Sequence, residues 1–236
     1  APEPKRVITI ILQSKRRKPN MKLIKTGIAG LDEFLTGGLP PKVLLLEGRP
    51  GTGNEVFARQ IAYARAKQIG VTYFTVNPSA DAVREDMATY NWDTEPLESS
   101  GNWKFKTFTK TGALQQVVLE EMTEHRTVIV DSLSELLLTR KLNEVTSLLT
   151  AMSNQNKSSE EYHLLLLTEG MQDQKTETTI EHFAEGIIAF NITMTTDTSH
   201  TDLLVRKMRG TFMPARRLPY TISKRGFLIE TATRIT

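Results

Sequence analysis

The sequence predicts an α/β fold: a mainly parallel sheet flanked by helices, with antiparallel strands at its C-terminal edge. Three observations predict it. From residue 40 onward, apolar runs of strand length alternate with stretches of helical periodicity. Several of those runs are apolar throughout, as strands buried on both faces are. After residue 169 the alternation stops, and IIAFNITM, DLLVRKM and YTIS with GFLIE read as antiparallel strands at a sheet edge.

Taken in order, KVLLLEG (42–48) is the first strand. Residues 55–69 form a helix, because Val56, Phe57, Ile61 and Ala64 fall on one face. VTYFTV (71–76) is rich in β-branched and aromatic residues and reads as the second strand. Residues 80–90 are helical, 103–108 a short strand and 112–125 a helix. TVIVD (127–131) is a buried strand, followed by a helix from Leu133 and another over 142–155. HLLLLTE (163–169) is the next buried strand. Residues 91–102 and the polar stretch 171–181 are expected to be loops. The second follows a strand end, so it faces the crevice where ligands of such folds sit. Trp92 and Trp103 are expected to be packing residues.

A chain of 236 residues, 39% hydrophobic and 24% charged, fits one globular α/β domain. No apolar run approaches the roughly 20 residues of a membrane-spanning helix. The opening APEPKRVITIILQSK has a short apolar patch and no small-residue cleavage site, so no secretory signal is expected. Zero cysteines exclude disulfides and zinc–thiolate sites, and fit a cytoplasmic location. His125, His163, His182 and His200 show no metal-ligand spacing, and no metal ligand is assigned.

Residues 1–20 hold six cations (Lys5, Arg6, Lys15, Arg16, Arg17, Lys18) against Glu3, a net of +5 in a chain whose total is +3. The remaining residues therefore carry −2. A slightly acidic body argues against a broad nucleic-acid-binding face. Met21 reads as a natural start, so residues 1–20 are expected to be a basic extension that need not be native, and residues 21–236 a single domain. Within the extension, RVITIIL (6–12) is expected to pair as a strand, in its own subunit or a neighbour's.

The stretch EGRPGTGNEVFARQ (47–60) joins the first strand to the first long helix. A phosphate-binding loop occupies that position when it reads G-x-x-x-x-G-K followed by Ser or Thr. Gly48 and Gly53 have the required spacing, with Arg49, Gly51 and Thr52 between them. The next two residues, however, are Asn54 and Glu55.

Six ordered stretches then carry a family likeness: TGIAGLDEFLTGGLP (26–40), GRPGTG (48–53), ATYNWD (88–93), TVIVDS (127–132), HFAEGIIAF (182–190) and LLVRKMRGT (203–211). Together they resemble the KaiC-like branch of the RecA-fold ATPases, over nearly all of residues 21–230; RadA-like recombinases are a more distant branch. The resemblance implies a RecA-like P-loop fold, ATP bound between neighbouring subunits, and often a hexameric ring. It places the family's loop lysine at Asn54 and its magnesium-holding Thr or Ser at Glu55. The family's paired glutamates fall where the strand runs into Val76 and Asn77, without a carboxylate. Asp131 matches the aspartate of the Walker B strand. Lys207 and Arg209, in KMRG, match residues that reach a neighbour's terminal phosphate in trans.

Magnitudes decide how the loop is read. A lysine about 4 Å from a phosphate oxygen is worth about 4 kcal/mol per charge pair at an effective dielectric near 20. Its loss costs roughly three powers of ten in affinity. Glu55 adds a carboxylate where phosphate or magnesium belongs; it suits an empty helix N-terminus instead, and Arg59 four residues on is placed to pair with it. Ser132-x-x-Glu135 is a capping-box pattern, so DSLSE also reads as a plain helix start. Residues 171–182 carry Asp173, Glu177 and Glu181 against Lys175, which disfavours strand binding.

The expected protein is therefore a KaiC-like RecA-fold chain without ATPase chemistry, a regulatory or scaffolding subunit acting through protein contacts. Its expected partner is another protein or a homologous ATPase subunit, in a homo- or hetero-oligomer, with neither nucleic acid nor membrane. No cofactor is required by this reading. Two alternatives stay open: weak ATP and magnesium binding through the amides of Gly51–Gly53 and Arg49, with little or no hydrolysis, and a nucleic-acid-binding recombinase paralogue.

Overall fold

Long apolar runs need cover on two sides, and the chain supplies it with helices on both faces of one sheet. The computed structural model describes residues 22–75, 77–108, 113–158, 160–196, 198–214 and 216–230. The strands are β1 (Val43–Gly48), β2 (Val71–Thr75), β3 (Trp103–Thr107), β4 (Thr127–Asp131), β5 (His163–Thr168), β6 (Gly186–Met194), β7 (Ser199–Met208), β8 (Leu218–Ser223) and β9 (Gly226–Ile229). They are ordered β3-β2-β4-β5-β1-β6-β7-β8-β9. Strands β3 to β6 in that order run parallel, and β6 through β9 pair antiparallel.

The helices are α1 (Ala29–Phe34), α2 (Asn54–Ala66), α3 (Ala80–Ala88), α4 (Glu95–Ser99), α5 (Leu114–Thr123), α6 (Leu133–Thr139), α7 (Leu142–Gln155) and α8 (Gln174–Phe183). Strand alternation divides the core between them. Leu44 and Leu46 of β1 join Phe57 and Ile61 of α2, Tyr73, Phe190, Tyr220 and Phe227 in one cluster. Val43 and Leu45, from the same strand, join Val118 of α5, Leu136 of α6, Leu148 of α7 and Ile180 of α8 in the other. Each buried leucine stabilises the fold by roughly 1.5–3 kcal/mol before entropy is charged against it. No described helix is long and apolar enough to cross a membrane.

Two expected loops contain helices. Glu95–Ser99 forms α4, with Pro96 in its first turn, where a missing N–H costs nothing. The polar stretch after β5 forms α8, because the Asp173 carboxylate accepts from the Thr176 N–H at 3.0 Å and caps the helix. Polarity marked both as exposed; it did not exclude a helix. Residues 29–34, left unassigned by periodicity, form α1. There Asp32 reaches back to accept from the Thr26 N–H (2.8 Å) and hydroxyl (2.7 Å). Trp92 and Trp103 are buried, as expected of packing residues. The strand expected over 6–12, the basic cluster 15–18 and Val76 lie outside the described residues.

One imidazole helps join the sheet's middle. His163 is fully buried; its Nδ1 accepts from the Val128 N–H at 3.0 Å and its Nε2 lies 3.0 Å from the Asn156 Oδ1. This geometry requires the neutral ring with the proton on Nε2. Burial lowers the His163 pKa to about 3. Between that value and the unfolded value near 6.5, the unfolded chain binds a proton that the folded chain refuses. Stability from this group is therefore present above about pH 6.5 and lost as pH falls. Urea titrations at pH 7 and pH 5 are expected to show a loss of about 2 kcal/mol attributable to His163. His163→Asn should abolish that pH-dependent part whatever its effect at pH 7; an unchanged slope would contradict the assignment.

Candidate functional site

The loop between β1 and α2 turns on two glycines. Gly51 and Gly53 have φ of +88° and +76°, which side chains with a Cβ adopt only under strain. A Cβ on Gly53 would also lie 2.0 Å from the Ile222 Cδ1 of β8. The loop is tied down by its neighbours. The Thr52 hydroxyl donates to the Arg49 carbonyl at 2.8 Å, and the Tyr220 hydroxyl of β8 donates to the Thr52 carbonyl at 2.5 Å. Gln60 of α2 clasps Phe227 of β9, its Nε2 donating to the carbonyl at 3.3 Å and its Oε1 accepting from the N–H at 2.7 Å. The β8–β9 hairpin thus holds the loop in shape.

The side chains around that loop are turned to other partners. Asn54 is buried and donates through Nδ2 to the Leu46 carbonyl of β1 at 3.3 Å. Glu55 sits in the first turn of α2, where the macrodipole favours it, and the N-cap, Gly53, has no side chain to cap the helix. The expected pairing of Arg59 with Glu55 is not formed. Arg59 instead points into the protein, where its guanidinium meets Asp131 (3.4 Å), Asp86 (3.0 Å) and the Tyr73 hydroxyl (3.3 Å). The reason is burial: α2 packs this flank onto the sheet, and two carboxylates and a phenol there outcompete the single carboxylate of Glu55.

Asp131 ends β4 with its carboxylate already engaged. The Tyr73 hydroxyl donates to Asp131 Oδ2 at 2.6 Å, alongside Arg59. Burial and Asp131 raise the Tyr73 pKa, so the phenol keeps its proton and remains a donor. Burial works against the charge of Arg59, but Tyr73, Asp131 and Asp86 hold its pKa above the ordinary value. Beyond Asp131, the Ser132 Oγ accepts from the Glu135 N–H at 3.3 Å, so DSLSE does start a helix.

Gly48, Arg49, Asn54, Glu55, Arg59, Asn77, Pro78, Asp131 and Glu135 bound a cleft of about 200 Å³, below the roughly 300–1,000 Å³ of ordinary ligand pockets. Arg49 lies on its rim, exposed, with Nε 3.5 Å from Glu169; such a pair is worth at most about 1 kcal/mol. Lys207 and Arg209 are elsewhere. The Lys207 ammonium donates to the Glu181 and His182 carbonyls (2.7 and 2.9 Å), closing the C-terminal end of α8. Burial, and then Arg209, lower its pKa. The Arg209 side chain is exposed and has no partner among the described residues.

Sequence reasoning missed the Arg59 network. The available signal was an arginine flanked by buried apolar residues on α2, with Tyr73 and Asp131 on the neighbouring strands β2 and β4. It also missed Glu47, which lies behind the loop with its carboxylate on Arg206 at 2.5 Å, while Arg206 also holds Glu181 at 2.6 Å.

Burial pushes the Glu47 carboxyl up to about 7; Arg206 opposes the rise, while Glu181 and Glu169 add to it. From pH 4.5 to about 7 the folded chain holds a proton that the unfolded chain releases, so stability falls as pH rises. Removing the group should flatten that fall: Glu47→Gln is expected to gain on the order of 1–3 kcal/mol over wild type at pH 8 relative to pH 5. Denaturant melts at the two pH values check this, and an equal difference at both would contradict it.

Comparison with known proteins agrees with this architecture. The family model described as KaiC, an ATPase, matches residues 24–234. UPF0273 protein PH0284 of Pyrococcus horikoshii is 27% identical over 234 residues, 87% of this chain and 93% of its own. UPF0273 protein MJ1359 of Methanocaldococcus jannaschii is 28% identical, covering 89% of this chain and 96% of its own. Among solved structures, the KaiC-like protein PH0186 of Pyrococcus horikoshii superposes with a TM-score of 0.78 at 23% identity, over 89% of this chain and 100% of that one. At that identity the likeness concerns the fold.

Proposed function

The chain belongs to the KaiC family of RecA-fold ATPases, and from that premise we propose that it is a catalytically degenerate member, acting as a regulatory or scaffolding subunit through protein contacts. One observation carries the reading. The guanidinium of Arg59 sits 3.4 Å from Asp131, in a cleft whose loop offers Asn54 and Glu55 instead of a lysine and a hydroxyl. A protein cation thus stands where the aspartate of a working site would help hold magnesium.

The residues present do not fit a magnesium nucleotide. Asn54 is a neutral amide turned onto the Leu46 carbonyl. Glu55 and Glu135 present carboxylates to the cleft where phosphate oxygens would lie, and like charges repel. Asn77 and Pro78 bring no carboxylate to activate water. Arg49 supplies a single exposed cation, already beside Glu169. The glycine frame does support a second, weaker reading, since Gly51 and Gly53 keep the positive φ that turns loop amides toward an anion. On that reading ATP binds weakly and is hydrolysed slowly or not at all.

Steady-state assays with magnesium ATP are expected to give turnover no faster than background. Turnover that disappears in Asp131→Asn would overturn the proposal. The frame can be tested by repair. Asn54→Lys with Glu55→Thr and Arg59→Gln restores the loop cation and the hydroxyl, and frees Asp131. Calorimetry should then show an affinity gain of roughly two to three powers of ten over wild type. No gain would mean that the loop is not a latent phosphate cradle.

A further inference from the structure

Helix α8 is held to the sheet by few groups. Of its ten residues only Ile180 is buried. Its first half is secured by its own turn: Asp173 caps it, and the Glu177 carboxylate accepts from the N–H groups of Gly170 (2.7 Å) and Gln172 (3.3 Å). Its last turn hangs on β7. Lys207 donates to the carbonyls of Glu181 and His182, and Arg206 holds the Glu181 carboxylate. Together with Ile180, these two cations fasten the C-terminal half.

Arg206 is shared. The same Nη2 lies 2.5 Å from Glu47 and 2.6 Å from Glu181, so two carboxylates meet on one nitrogen. Like charges so close repel, and a single proton between them removes the repulsion. The elements packed around Glu47 offer little else to balance it. β5 and β6 place Leu167 and Ala189 beside it, neither of which titrates. β7 supplies Arg206, and α8 supplies Glu181. The β5–α8 connection supplies Glu169, which lies 3.5 Å from the exposed Arg49. The Lys207 ammonium is spent on backbone carbonyls. Burial raises the Glu47 carboxyl to about 7 against the pull of Arg206, with Glu181 and Glu169 adding to the rise.

The two carboxylates differ in what they can do once both are charged. The Glu47 side chain is 5% exposed and fixed in β1. The Glu181 side chain is 27% exposed, on a helix with one buried residue. Water can take up Glu181 far more readily than Glu47.

We propose that a proton shared by Glu47 and Glu181 fastens the C-terminal half of α8 to the sheet, and that its loss to solvent lets this half of the helix open. In the closed form, neutral Glu47 leaves Arg206 to Glu181. When the proton leaves, Arg206 stays with the buried Glu47 and Glu181 turns to water. Opening uncovers the apolar cluster that Ile180 shares with Val43, Leu45 and Ile187. The closed form binds the proton more tightly than the open form, so opening grows as pH rises toward 7 and levels off above it. No nucleotide and no partner enters this switch, so it stands apart from the scaffolding reading.

Backbone hydrogen exchange on the full chain at pH 6 and pH 8, corrected for the intrinsic effect of pH, tests the switch. The amides of residues 179–184 are expected to lose roughly tenfold in protection between the two pH values. At both they should exchange faster than the amides of β4 and β5, as local opening requires. Glu47→Gln mimics the protonated carboxyl and should keep α8 protected at pH 8. Glu181→Gln, on the half-exposed side of the pair, should leave α8 open at both pH values. Equal protection of wild type at pH 6 and pH 8 would overturn the proposal. So would a tenfold loss that persists in either variant. Protection of α8 equal to that of β4 and β5 would overturn it too, because exchange would then report unfolding of the whole chain.

Discussion

The guanidinium of Arg59 is the point on which the site's geometry turns. It contacts Tyr73 on β2, Asp131 on β4 and Asp86 on α3 while belonging to α2, so four elements converge on one charge. A buried cation is costly to desolvate and is tolerated only when its donors are taken up. Here a carboxylate and a phenol take them up inside the protein, and Asp86 takes one nearer the surface. Breaking a buried pair typically costs 3–5 kcal/mol; here Asp86 and Tyr73 would still hold Arg59, and the Tyr73 hydroxyl would still hold Asp131. The network therefore fixes how α2 sits on the sheet, and it commits Asp131 to an internal partner.

The loop between β1 and α2 is held by packing as well as by its own backbone. Two contacts unrelated to phosphate shape it. A Cβ on Gly53 would displace the end of the Ile222 side chain, and Thr52 is held by Tyr220 from the C-terminal hairpin. The positive φ of Gly51 and Gly53 favours glycine at both positions whether or not an anion binds. The side chains that follow these glycines, free of that preference, differ from those of a working nucleotide loop.

Much of the fold was legible in the sequence because its strands are apolar along their whole length and its helices carry periodic faces. The antiparallel edge was legible for the same reason: β7 and β8 alternate where one face is exposed. What escaped was set by single side chains acting over long sequence separations. α8 depended on Asp173 capping a stretch that composition alone marked as a loop, and α1 on Asp32 reaching back to Thr26. At the site, the loop's spacing and the unusual Asn54 and Glu55 were visible at once. The partner of Asp131 was not, because Arg59 and Asp131 are 72 residues apart and local helix rules favour Glu55 for Arg59. Lys207 likewise has a local duty, closing α8, that the KMRG pattern did not disclose.

The central claim is that Arg59 holds Asp131 as an internal ion pair. A double-mutant cycle measures this directly, with Arg59→Gln, Asp131→Asn and the pair compared by denaturant unfolding at pH 7. The account predicts a coupling of about 1.5–3 kcal/mol, the range for hydrogen bonds to charged groups, with the double variant less destabilised than the single effects add up to. Additive effects, with coupling near zero, would mean that Asp131 does not depend on Arg59. The carboxylate would then be free for a metal, contradicting the account.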